Sequence, residues 1–140
     1  MPARLRSAAK VDLIARVPLF AGLSKSELGQ VASIADEIDL PADRLLIREG
    51  ERGREFFVLL EGEAEVTRKG KELATRRSGE FFGEIALVSS LPRTATVKTR
   101  EASRALVIRD VEFRALLRRT PTIALKVLEA VGDRFPPDVV

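Results

Sequence analysis

The sequence predicts an α+β fold: an antiparallel β-barrel or jelly roll (double-stranded β-helix) with N-terminal and C-terminal helices packed on it. Three observations carry this. Extended helical spacing of apolar residues is confined to the first third and the end of the chain. The middle consists of short apolar or alternating runs bordered by glycine. No long helical period interrupts those runs, which argues against a parallel sheet and for an antiparallel barrel. The 140 residues, 45% hydrophobic and 32% charged, suffice for one domain with its own core. The boundaries read from the pattern are a helical bundle at 10–36, a barrel at 37–109 and closing helices at 110–135.

Val11, Leu13, Ile14 and Val17 suit a short amphipathic helix that Pro18 stops. Ser24-Lys25-Ser26-Glu27 has the form of a capping box, in which the serine accepts from the amide three residues on and Glu27 reaches back. Leu28, Val31, Ala32 and Ala35 follow at helical spacing, so one face of 25–35 is expected to be buried. Strands are expected at Leu45-Leu46-Ile47 and Phe56-Phe57-Val58-Leu59-Leu60, with Gly50, Gly53 and Gly62 as punctuation. Residues 63–67 alternate, Arg68-Lys69-Gly70-Lys71 reads as a hairpin turn, and Leu73 to Thr75 return. Two further strands are read at 94–99 and 105–108.

Asp110 is expected to cap a helix carrying Phe113, Leu116 and Leu117. Thr120-Pro121 reads as an N-cap followed by proline at the first helical position, and Pro136-Pro137 as a stop. Between them, Lys126, Glu129 and Asp133 form the polar stripe of a helix that is otherwise apolar. Such a helix needs cover on more than one side, from a lid over a ligand or from a partner subunit.

Composition narrows the function. Cysteine and histidine are both absent. Thiolate sites, the commonest metal ligand and the usual general base go with them, so neither a metal site nor a catalytic residue is expected. Lys and Arg total 24 against 21 Asp and Glu, and the charges are interleaved rather than gathered on one element. Nucleic acid is therefore not an expected partner. Arg4, Arg6 and Lys10 precede no apolar stretch of signal-peptide or membrane-spanning length, so a cytoplasmic protein without membrane contact is expected.

The chemistry concentrates in residues 79–97. Gly83 permits close backbone approach, and 84–88 favours a helical turn or two whose first amides are free to face an anion. Pro92 ends that turn. Arg93 then offers a fork for two phosphate oxygens, and Glu84 an acceptor for a sugar hydroxyl. Together they suit a phosphorylated sugar. Plainer readings stand beside these. Arg93 and Glu84 would also serve as an ion pair holding a loop, and Thr94 and Thr96 as strand formers. Arg76-Arg77 and Arg118-Arg119 read as solvated faces, and Phe81 and Phe82 as core.

Phe82-Gly83-Glu84-Ile85-Ala86-Leu87 followed by Pro92-Arg93-Thr94-Ala95-Thr96-Val97 closely resembles the phosphate-binding cassette of cyclic-nucleotide-binding domains. Leu19-Phe20-Ala21-Gly22-Leu23, Ile47-Arg48-Glu49-Gly50 and Phe57-Val58-Leu59-Leu60-Glu61-Gly62 are similar to the same family's pattern, which extends the resemblance over most of the chain. It implies a sensor of cAMP or cGMP without a further cofactor. Arg93 would hold the cyclic phosphate, with contacts from Thr94 and the amides of Gly83, Ile85 and Ala86, and Glu84 would take the ribose. The hydroxyl of Thr94 leaves cGMP open beside cAMP. With no Tyr or Trp in the chain, a base lid would come from Ile123, Val127 or Arg134. The final helices would signal to a protein partner or a second copy. Two alternatives accompany this reading. One is the sensor half of a transcription regulator, although no helix-turn-helix fits before Val140; the other is a degenerate cassette that serves as a scaffold.

Overall fold

The computed structural model of the chain describes residues 7–134. The basic residues Arg4 and Arg6 and the Pro136-Pro137 stop lie outside the described residues. The chain opens with α1 (Ser7–Ala15), a 3₁₀ turn (Pro18–Phe20) and α2 (Lys25–Ile34). Pro18 does not merely stop α1. Its fixed φ starts the 3₁₀ turn, which buries Leu19 and Phe20. The capping box is formed in both directions: Glu27 N–H donates to Ser24 Oγ at 3.1 Å, and Ser24 N–H to Glu27 Oε1 at 2.9 Å. Lys10 donates its ammonium to the carbonyls of Ala32 and Ala35, closing the C-terminus of α2 where the helix leaves acceptors free.

Eight strands follow: β1 (Asp36–Leu40), β2 (Leu45–Ile47), β3 (Glu55–Glu61), β4 (Glu63–Arg68), β5 (Lys71–Arg77), β6 (Phe81–Phe82), β7 (Thr96–Thr99) and β8 (Ser103–Arg109). They pair antiparallel in two four-stranded sheets, ordered β1-β8-β3-β6 and β2-β7-β4-β5, the arrangement of a jelly roll. Two strands lay beyond the sequence reading. β1 carries acids at Asp36, Glu37 and Asp39, which mask the alternation of Ile38 and Leu40; β6 is only two residues long. Between β6 and β7 sits α3 (Glu84–Ser89), ended by Ser90 in the left-handed region before Pro92. The helices α4 (Asp110–Arg119) and α5 (Pro121–Arg134) close the described chain. Asp110 is the first residue of α4 rather than its cap; its carboxylate accepts from Val111 N–H at 2.9 Å and lies 3.7 Å from Arg114. The carbonyl of Thr120 accepts from Ile123 and Ala124 at the start of α5.

The described residues form two apolar cores, and β3 and β8 belong to both. Phe56, Val58 and Leu60 on β3, with Leu106 and Ile108 on β8, meet Ile14, Phe20, Val31, Phe113, Leu116, Ile123 and Val127 from the helices. Phe57 and Leu59, with Ala105 and Val107, face the barrel interior alongside Ala64, Val66, Phe82 and Val97. Burial on both faces is why β3 reads as an unbroken apolar run rather than an alternating one. The last helix is covered on one side. Ile123 and Val127 are fully buried, while Leu125 and Leu128 are each 61% exposed. Lys126, from its polar stripe, donates to the carbonyls of Pro18 and Ala21 and ties α5 to the 3₁₀ turn. No helix among the described residues is long and apolar enough to cross a membrane.

Gly62 transfers the chain from β3 in one sheet to β4 in the other, at φ +96°, with no room for a side chain. A Cβ there would stand 2.1 Å from Ser103 Oγ and 2.8 Å from its Cα. Gly62→Ala combines left-handed backbone strain with that clash, so urea denaturation should show a loss of about 3 kcal/mol.

Candidate binding cavity

A cavity of about 430 Å³ opens where the two sheets meet α3 and the end of α5. Its floor is barrel core: Ile47, Val66, Phe82 and Val97. Gly83, Glu84, Ile85, Ala86, Arg93 and Thr94 form one wall, so the six residues singled out for phosphate and ribose are brought together.

Local sequence explains the convergence. Gly83 adopts φ +95° and caps α3, directing the chain from β6 into the helix within one residue. A Cβ at that position would lie 2.9 Å from the Glu55 carbonyl and 3.0 Å from Arg93 Nη1, so glycine is required by space as well as by φ. Arg93 is only 7% exposed. Its Nη1 donates to the Gly83 carbonyl at 2.9 Å and its Nη2 to the Glu55 carbonyl at 2.7 Å. The backbone around it is sewn to the loop before β3, with Gly50 N–H donating to the Arg93 carbonyl and Arg93 N–H to the Glu51 carbonyl, both at 2.8 Å. Burial pushes its guanidinium below the ordinary arginine value, and the charges of Glu55 and Glu84 pull part of the way back. The side chain is thus a cation held at the cavity wall by two carbonyl acceptors, with no carboxylate in hydrogen-bond contact.

The ion pair of the plainer reading does not form between Arg93 and Glu84. Glu84, 2% exposed, instead meets Arg134 from the last turn of α5, with Nη1 to Oε1 at 2.6 Å. The same Nη1 donates to the Phe81 carbonyl at 2.7 Å, and the guanidinium lies over the Phe81 ring, 4.6 Å from its centroid. Phe82 stacks on Phe57 in the core. Of the three residues considered for a lid, Arg134 lines the cavity; Ile123 and Val127 do not. Those two face the helical core because α5 turns its apolar stripe towards Phe113 and Leu116, leaving its end over the cavity. Arg114 on α4 donates from Nε to the Leu87 carbonyl at 3.2 Å, so α3 is tied to both closing helices.

Arg76 departs from the sequence reading most. Arg77 is exposed as expected, but Arg76 lines the cavity. The signal was the period of two. Arg76 pairs with Ala64 and lies two residues from Ala74, which pairs with Val66, so it shares their inward face. Leu73 and Arg68 complete this side of the cavity. Among the described residues no group of three or more metal-ligating side chains is found.

Comparison with known proteins points one way. The family model described as cyclic nucleotide-binding domain matches residues 37–120. The cAMP-dependent protein kinase regulatory subunit of Mycosarcoma maydis is 36% identical over 85% of this chain and 25% of its own length. A cyclic nucleotide-gated potassium channel of Rhizobium etli is 32% identical over 88% of this chain and 34% of its own. The chain thus spans about a third or less of these relatives. A solved structure of a protein kinase A regulatory domain bound to Sp-2Cl-cAMPS is 28% identical with a TM-score of 0.73, covering 90% of this chain and 94% of that one. The regulatory domain of Toxoplasma gondii PKA with cAMP shares the fold at a TM-score of 0.82 and 23% identity, over 91% of this chain and 50% of that one.

Removing the Arg93 guanidinium takes away two charge-assisted hydrogen bonds, to the Gly83 and Glu55 carbonyls. Arg93→Ala should therefore lower the unfolding free energy by about 2 kcal/mol, read from the urea midpoint at unchanged slope.

Proposed function

The chain belongs to the cyclic nucleotide-binding domain family, and from that membership we propose that it is a cytoplasmic sensor whose cavity takes cAMP or cGMP. The observation that carries this is Arg93: a buried cation, fixed by two carbonyls, beside the free amides at the start of α3. A cyclic phosphate there would meet the guanidinium and the amides of Ile85, Ala86 and Thr94. Glu84 stands beside them with acceptor capacity for a ribose hydroxyl. The reading is of a binding module, one that holds its ligand without turning it over.

Regulation follows from what Glu84 already holds. A ribose hydroxyl that donates to this carboxylate competes with Arg134, and release of Arg134 frees the end of α5. The ligand then favours a different seating of α4 and α5, which is the differential interaction a switch requires. A protein partner or a second copy would read that change. Leu87, buried against the closing helices while its neighbours Ile85 and Ala86 line the cavity, supplies the mechanical link.

Isothermal titration of cAMP and cGMP into protein stripped of nucleotide should give micromolar or tighter binding of at least one, about −8 kcal/mol or better. Arg93→Ala, confirmed folded, should weaken it by about a hundredfold. Absence of binding by the folded, stripped protein refutes the reading. In a separate measurement, amide resonances of 110–134 should shift on saturation. Their constancy would leave binding intact but rule out the switch through α4 and α5.

A further inference from the structure

A second cavity, of about 350 Å³, lies behind the cassette, between the loop before β3, the end of α3 and the side of α4. Its size is at the lower end of small-molecule sites, which run from about 300 to 1,000 Å³. Arg52, Ser90 and Arg114 are its polar lining, Ala86, Leu91 and Pro92 its apolar side, and no carboxylate lines it. Arg52 is exposed, and its side chain has no ion-pair or hydrogen-bond partner among the described residues. The neighbouring carboxylate of Glu51 is turned to Arg48, 3.5 Å away. Arg114 is hydrogen-bonded through Nε alone, to the Leu87 carbonyl; its Nη1 stands 3.7 Å from Asp110 Oδ2, beyond hydrogen-bond distance. Ser90 is exposed and held at φ +60°, a left-handed conformation that costs a serine free energy and persists where the surroundings enforce it.

The wall between the two cavities is thin. Gly53 lines the rear one, and a Cβ there would stand 2.7 Å from Ala86 Cβ and 3.1 Å from Arg93 Cζ. Ala86 lines both. The Arg93 guanidinium therefore adds its charge, from behind Gly53, to those of Arg52 and Arg114. Cations gathered around a cavity without a carboxylate repel one another, and an anion among them relieves that. A carboxylate has two oxygens, which a single fork satisfies. A phosphate monoester has three, which two forks from different elements and a hydroxyl can share. The apolar side leaves room for the organic group of the ester. We propose that the rear cavity is a second anion site, which takes a phosphate monoester between Arg52 and Arg114. It is separate from the cassette and stands apart from the cyclic-nucleotide reading. A bound ester would join the loop at 50–53 to α4 across the back of α3.

The test is titration of inorganic phosphate and of glycerol phosphate into the isotope-labelled full chain at constant ionic strength, followed through its amide resonances. The amides of Gly53, Ser90, Leu91 and Arg114 should shift and saturate in the millimolar range or tighter, and sodium chloride of matched ionic strength should leave them in place. Arg52→Gln should weaken binding about tenfold, the loss of one charge-assisted contact, and Arg52→Glu should abolish it. Arg114→Gln, on the other wall, should weaken it as well, and thermal melts should show all three variants folded. A phosphoserine peptide titrated in parallel separates the two sources of such an ester. Tighter binding of the peptide assigns the site to a phosphorylated partner and tighter binding of glycerol phosphate to a free metabolite; both support the site. Shifts confined to 83–86, 93 and 94 would place phosphate in the cassette alone and overturn the inference. So would the lack of any saturable shift, or a folded Arg52→Glu that binds as tightly as the wild type.

Discussion

The double burial of β3 is the constraint on which the rest of the molecule depends. Phe56, Val58 and Leu60 face the helices, and Phe57 and Leu59 face the barrel, so one seven-residue strand is the wall between two cores. Such a strand has no wet face on which to slip, since a shift of one residue would exchange its two sets of side chains. Its first residue, Glu55, therefore presents its carbonyl at a set place, where it receives Arg93 Nη2. The cavity is thus anchored to a strand buried on both faces. The chain also reaches β4 from β3 through the single residue Gly62, which ties the second sheet to the same wall.

From that anchor the site is assembled by backbone rather than by ion pairs. Arg93 is buried with two carbonyls as acceptors, and its own amide and carbonyl are bonded into the loop ahead of β3. The arrangement holds the guanidinium without a direct ion pair. Glu84 has the opposite character, a buried carboxylate already paired with Arg134. One half of the cavity is therefore preset and the other half is a contact that an incoming hydroxyl has to replace. The preset half lies on the barrel, and the replaceable half belongs to α5, whose exposed Leu125 and Leu128 show how little else holds its outer face.

Much of this was legible in the sequence where local chemistry decides structure. The capping box at Ser24, the turn at Lys69-Gly70 with positive φ at both residues, and the glycine at 83 each require a specific conformation of a few adjacent residues. The run 56–60 and the segment 82–97 were readable for the same reason. Less was legible where several elements contribute. β1 was hidden by its acids, and β6 gains strand character only by pairing Phe81 and Phe82 with Val58 and Phe57. Ile123 and Val127 were placed on the wrong side of α5 because a nearly all-apolar helix does not say which of its faces meets which neighbour.

The sequence by itself determined the fold class and six of the eight described strands through hydrophobic period, and its resemblance to a family marked the wall of the cavity formed by residues 83–86 with 93 and 94. Only the tertiary structure decided which charges meet. Glu84 and Arg134 are fifty residues apart and come together because α5 packs across the helical core and ends at α3. Arg76 becomes a cavity residue because its register with Ala64 turns it inward, whereas its neighbour Arg77 turns out. Periodicity sets a side chain's face, but the partner across that face depends on how distant elements stack, and no local pattern encodes that.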